Sequence, residues 1–172
     1  MLTGLGFVFY DRGGQSIWGN ANGLRSIATV KAPPQNLFAH TRITVLCDVL
    51  NPLCGPQGSA RVFAPQKGAT PQQVVLIEQG MEIFARVGEA YEGRRLYDEP
   101  MAGSAGGLAS AFRAFLGAEL VQGAQFLFDW IGLDRQIEKA DVILTGEGRT
   151  DRQTFSGKAP FEILRRAGRL GK

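Results

Sequence analysis

Apolar and polar positions along this chain fall into two rhythms, one of short β-type runs and one of helical stripes. Leu5-Gly6-Phe7-Val8-Phe9-Tyr10 is a short apolar run closed by the turn residues Asp11-Arg12-Gly13-Gly14. Ile43-Thr44-Val45-Leu46-Cys47 is compact, β-branched and closed by Asp48 and Asn51-Pro52, which predicts a buried strand. Asp141-Val142-Ile143-Leu144-Thr145 reads as a second buried strand. Between them the rhythm becomes helical. Thr70 can cap, Pro71 suits a first helical position, and Gln73 completes a capping box. Val74, Ile77, Met81 and Phe84 follow at helical spacing, and Gly88 is the expected stop.

Further helices are expected from Ala105 to Leu116, with Leu108, Ala111, Phe112, Phe115 and Leu116 as the stripe, and from Gly123 to Gly132, with Phe126, Leu127 and Trp130 inward. Asn20 to Ile27 predicts one or two helical turns, and a short helix is expected from Pro34 to Phe38. Ala60 to Phe63 suits a strand or a helical turn. Residues 91–99 read as a charged surface connector, 134–139 as a short amphipathic piece, and 161–167 as a last helix opened by Pro160. Strands separated by helices of this length predict an α/β fold with at least partly parallel strands.

Composition narrows the chemistry. With 172 residues, 44% of them hydrophobic and 20% charged, the chain can build a real core. His40 is the single histidine, so a zinc site of two or three histidines is excluded. His40 itself is expected to be structural and partly buried. Cys47 and Cys54 do not make a disulfide framework and read as free buried thiols. No apolar run reaches membrane-spanning length, and no basic segment precedes an apolar one. A cytoplasmic protein without a membrane partner is expected. From Arg149 to Lys172 there are seven bases and two acids, so the tail carries +5 against a whole-chain net of +3. No aromatic interleaving accompanies these bases, so nucleic acid is not the expected partner.

Four stretches can carry chemistry. Gly103-Ser104-Ala105-Gly106-Gly107 stands at a helix start, where backbone N–H groups can receive an anion; a tight turn with close packing explains the same residues. Gly146-Glu147-Gly148-Arg149-Thr150-Asp151 follows an expected strand. Asp151 replaces the third glycine of the dinucleotide fingerprint, which disfavours an NAD enzyme. What remains there is a loop expected at a sheet's carboxyl edge with Glu147, Arg149, Asp151, Arg152, Thr154 and Lys158, whose mixed charges suit a phosphate-plus-metal ligand; a solvated loop laced with ion pairs explains the same residues. Asp48 and Asn51 stand at the end of the first strand, where they would face a cleft, although the pattern alone slightly favours an Asx turn that starts a loop. Lys67 beside Gly68 precedes a helix N-terminus, suited to an anion or to turn chemistry.

Taken together and in order, CDVLNPLCGPQGSARVFAPQKGAT (47–70), PMAGSAGGLASAFRAFLGAEL (100–120) and ADVILTGEGRTDRQTFSGKAP (140–160) resemble the bacterial glycerate kinase family of the galactarate and glyoxylate pathway type. LTGLGFVFYDRGG at the start is also similar to it. The resemblance implies a layered α/β kinase fold with an incomplete second lobe. It places about 1–139 in the substrate-side lobe and about 140–172 at the return to the nucleotide-side lobe. Family members are more than twice this long, so the chain reads as their central part. Its expected partners are then the N- and C-terminal segments of the same protein. The implied reaction moves the γ-phosphoryl of ATP to D-glycerate, with Mg2+ and 2-phosphoglycerate favoured as product. Asp151, Glu147 and Arg149 would be catalytic. Asp48, Asn51, Lys67, Gly103, Ser104, Gly106, Gly107, Thr154 and Lys158 would bind substrate or phosphate. A non-catalytic remnant that binds a small anion is the competing reading.

Overall fold

The computed structural model describes residues 1–35, 38–148 and 158–172. Two small sheets share one core. Strands β1 (Val8–Tyr10) and β2 (Thr29–Lys31) pair antiparallel, with Phe9 opposite Val30. A 3-10 turn, Leu2–Leu5, precedes β1, and another, Gly23–Ser26, fills the connection to β2. Strands β3 (Thr44–Cys47) and β4 (Glu119–Gln122) pair parallel, with Val45 opposite Leu120. The crossover between them contains α1 (Ser59–Phe63), α2 (Pro71–Glu92) and α3 (Ser104–Leu116). After β4 come α4 (Gly123–Trp130), α5 (Leu133–Lys139) and α6 (Ala159–Arg169). The expected α/β layering with a parallel pair is present.

Phe115 on α3 is the centre of the core. Its ring lies 5.5 Å from Phe7, 5.8 Å from Phe9, 5.6 Å from Phe84 and 5.1 Å from Tyr91, centroid to centroid. These distances lie in the range where aromatic pairs add to the burial of their area. The ring cluster ties the β1–β2 hairpin to α2 and α3.

Helix α2 begins as its sequence predicts. Gln73 N donates to Thr70 Oγ1 at 3.3 Å, and Thr70 N donates to Gln73 Oε1 at 2.8 Å. Its end differs. Gly88 does not stop the helix, which continues to Glu92 and closes on Gly93 in the left-handed conformation. A Cβ on Gly88 would meet Leu96 Cδ1 at 2.6 Å and Ala114 Cβ at 3.2 Å. Gly88 is there so that α2 can approach Leu96 and α3. Residues 91–99 are correspondingly more than a surface connector, because Leu96 is fully buried.

Other expectations are corrected. Val142–Thr145 is not a strand, and Val142 and Leu144 are 74% and 91% exposed. A strand needs a neighbour to receive its backbone groups, and among the described residues none lies alongside. Phe126, Leu127 and Trp130 do not point inward; Trp130 is 78% exposed. In α3, Leu108 is exposed and the buried face is Ala109, Ser110, Ala111, Ala114 and Phe115. His40 is exposed rather than partly buried. The short helix expected over 34–38 includes Asn36 and Leu37, which lie outside the described residues. Cys47 and Cys54 are free and buried, as expected.

Helix α6 docks on α4 and α5 through charge. The buried Arg166 donates from Nη1 to Asp134 at 3.0 Å and from Nε to Glu162 at 3.0 Å, and sits 2.7 Å from Asp129. Its guanidinium also reaches the carbonyl of Gln125 and the face of Phe128. Among the described residues no helix is long and apolar enough to cross a membrane.

Candidate functional site

The carboxyl end of β3 is where two of the four chemistry-bearing stretches, 48–52 and 101–107, meet. The chain leaves β3 at Asp48, which is solvent-exposed, and turns through Val49 to Pro52. Asn51 Nδ2 donates to Gln57 O at 2.8 Å, which closes the 51–57 loop on itself. The turn at 101–107 packs directly against this loop. Met101 N donates to Leu50 O at 3.1 Å, and Gly103 N donates to Asn51 O at 3.0 Å. Ser104 is buried, with Oγ 3.3 Å from Val49 O. Two stretches fifty residues apart thus form one corner. The start of α4 joins them, since a Cβ on Gly123 would lie 3.3 Å from Cys47 O.

The glycines of 103–107 do two different things. Gly103 lies so close to the 51–52 backbone that a Cβ would meet Pro52 O at 2.2 Å. Ala105, Gly106 and Gly107 are left-handed, with φ of 52°, 70° and 89°, so regular helix begins only after them. A non-glycine residue at such a φ is strained, and that makes Ala105 a marked position. The backbone N–H groups of Gly103, Ser104 and Gly107 are engaged by Asn51, Met101 and Gly103 carbonyls. The cradle expected from this glycine cluster is in large part a packing junction. Its outer side opens on a cleft of about 500 Å³, lined by Ala105, Gly106 and Gly107 together with Trp18, Met81 and Phe84.

The remaining expected site residues are spread out. Lys67 ends a 3-10 turn, Pro65–Lys67, and lines a separate cleft with Arg25 and Gln73. Lys158 caps the start of α6, and its Nζ lies 3.8 Å from Glu147 Oε2. This contact spans the segment from 149 to 157. Arg149, Asp151 and Thr154, and Arg152 with them, lie outside the described residues.

Two acids on α2 hold the loops around this corner, and no motif in the sequence marks them. Glu78 is buried and accepts Gly55 N at 2.7 Å, with Arg61 Nε 3.6 Å away. Glu89 Oε1 accepts the N–H groups of Leu96 and Tyr97 at 2.8 and 3.1 Å. The available signal was the place of Glu78 beside Ile77 on the apolar side of the helix. Cys54 lies beneath the same loop. Burial, reinforced by Glu78, Glu82 and Glu89, pushes its thiol up to about 12. Cys54 is therefore expected to resist iodoacetamide at about pH 8 in the folded chain and to react once denaturant unfolds it, because only the thiolate attacks. Mass spectrometry of labelled peptides reads the difference. Cys47 is raised too, by burial, with a hydrogen bond from Ser104 working against it.

The model of the glycerate kinase family matches residues 1–172 of this sequence. The chain belongs to the glycerate kinase family. A glycerate kinase of Haemophilus influenzae is 36% identical over 175 residues, covering 100% of this chain and 46% of that protein. Glycerate 2-kinase of Escherichia coli K12 is 35% identical over the same share of this chain, which covers 45% of it. Among solved structures, a glycerate kinase 2 candidate from Salmonella typhimurium LT2 superposes with a TM-score of 0.77 at 35% identity. That likeness covers 100% of this chain and 46% of the other. The chain thus spans less than half the length of these family relatives.

Proposed function

We propose that this chain is the central part of an ATP-dependent glycerate kinase, forming 2-phosphoglycerate from D-glycerate in the cytoplasm together with the remaining segments of the longer protein. The family match over the whole chain carries the reading. The meeting of 48–52 with 101–107 at the carboxyl end of a parallel strand pair supports it, since α/β sheets present ligands there.

Phosphoryl transfer is mostly positioning and charge compensation. Asp48 and Asn51 would meet the glycerate hydroxyls. Gly106 and Gly107, with the Gly103–Ser104 junction behind them, would shape the floor. Lys67, Lys158 and Arg149 would neutralise phosphate or clamp the glycerate carboxylate. Asp151 or Glu147 would take the proton of the attacking hydroxyl. Mg2+ keeps much of its water and needs only one or two carboxylates beside phosphate oxygens. The exposed Asp48, or Glu147 with Asp151, would supply those one or two carboxylates. No group of three or more potential ligands converges among the described residues. Bound Mg2+ would offset charge on the phosphates.

The test uses a full-length protein containing this chain. With Mg2+, ATP and D-glycerate, phosphorus NMR is expected to show ADP and a phosphate ester on the C2 oxygen. A C3 ester would overturn the product assignment. No glycerate-dependent ADP would overturn the function.

A further inference from the structure

Another cleft lies away from the corner just described, between the β1–β2 hairpin and one face of α2. It encloses about 1010 Å³ and shares no lining residue with 48–52 or 101–107. Its floor is apolar, made by Ile27, Val30, Ile83 and Val87. Three arginines stand around it. Arg12 comes from the turn after β1, Arg25 from the 3-10 turn Gly23–Ser26, and Arg86 from α2. Asp11 is the one acid in the lining, and its Oδ1 already accepts Gln15 N at 2.9 Å. None of the three guanidinium groups has a hydrogen bond or ion pair among the described residues. Arg113, by contrast, is held by Glu92 and Glu99, and Arg166 by Asp129, Asp134 and Glu162.

We propose that this cleft binds a small phosphate-bearing polyanion. Gathering three guanidinium groups from separate elements around one concavity costs repulsion that no ion pair among the described residues relieves, and Asp11 alone offsets only part of that charge. A ligand with two or more negative charges relieves it. Guanidinium groups grip phosphate oxygens through paired N–H donors, so phosphate is the favoured head group. Ser26 and Thr29 add hydroxyl groups to the rim. The apolar floor takes the non-ionic body of the ligand. All three arginines are solvent-exposed, so binding is modest and salt-sensitive. The inference stands on this cleft and not on the kinase reading.

Inorganic pyrophosphate is the probe, titrated calorimetrically into the 172-residue chain at low salt. Saturable binding with Kd at or below about 1 mM is expected, weakening steeply as salt is added. The triple variant Arg12→Gln, Arg25→Gln, Arg86→Gln is expected to weaken it at least tenfold with an unchanged melting temperature. A charge-matched control, Arg94→Gln, Arg135→Gln, Lys139→Gln, alters three residues outside the lining and is expected to bind as the parent does. If the triple variant does not fold, the single variants Arg12→Gln and Arg86→Gln are each expected to weaken binding about threefold. No binding at 10 mM, about ten times the expected ceiling, overturns the proposal. So does equal weakening in the control, or undiminished binding in the arginine variants. That last result would place pyrophosphate elsewhere and leave the kinase reading untouched.

Discussion

Gly103→Ala is expected to lower the stability of the chain by about 3 kcal/mol, or roughly 6–12 °C in Tm. The added methyl group would need to sit 2.2 Å from Pro52 O and 2.9 Å from Asn51 O. Both are backbone atoms, so no rotamer change relieves the clash. Either the 48–52 loop or the start of α3 has to move. Moving them breaks the hydrogen bond from Gly103 N to Asn51 O and disturbs Ser104 against Val49. The damage therefore reaches the candidate site as well as the core. Gly106→Ala is the informative comparison. No atom lies within 4 Å of a Cβ there, and only the left-handed φ opposes it. Its expected cost is about 1–2 kcal/mol. Guanidinium denaturation of both variants measures the contrast, and equal costs would contradict the packing role given to Gly103.

Arg166→Met is expected to cost about 3–5 kcal/mol, roughly 6–20 °C in Tm, because it removes the buried cation that pairs with Glu162 inside α6 and with two acids outside it. Glu162 is buried, and Arg166 also reaches Asp129 and Asp134 on neighbouring elements. Acid should act on the same junction. Arg165, donating to both carboxylate oxygens, holds the Glu162 carboxyl below its ordinary value of 4.5 against the opposing cost of burial, with Arg166 adding to it. A lowered folded-state pKa contributes stability above the unfolded value. That stability is lost as pH falls from about 4.5 through the lower folded value. Circular dichroism across that range should show acid destabilisation in the parent and less of it in Glu162→Gln. An Arg166→Met protein as stable as the parent would show that α6 is held by something other than this network.

Sequence and structure agree best where local chemistry decides. The capping box at Thr70–Gln73 is a matter of four adjacent residues, and it forms as read. Gly117 ends α3 for the same kind of reason. Agreement fails where a distant neighbour chooses. Gly88 looks like a helix stop, yet Leu96 and Ala114 make it a contact surface. Val142 and Leu144 have the composition of a buried strand, but a strand also needs a pairing partner. Glu119–Gln122 is a short mixed-polarity run, and only its alignment with β3 makes it a strand. The faces of α4 turn on what lies beside it, so Trp130 could not be placed from periodicity alone. At the candidate site, the importance of 48–51 and 103–107 was legible as turn chemistry at element ends. Their mutual contact was not, because fifty residues of crossover lie between them.

The most direct measurement is glycerate-dependent ADP release by this chain alone and by the chain combined with the remaining segments of a family relative. The account predicts turnover at least about 10³-fold lower for the chain alone. Positioning two substrates against each other is worth roughly 7–11 kcal/mol and requires the rest of the kinase. Combination should restore D-glycerate phosphorylation. Full turnover by the 172 residues alone, or none from a folded combination of both parts, would contradict it.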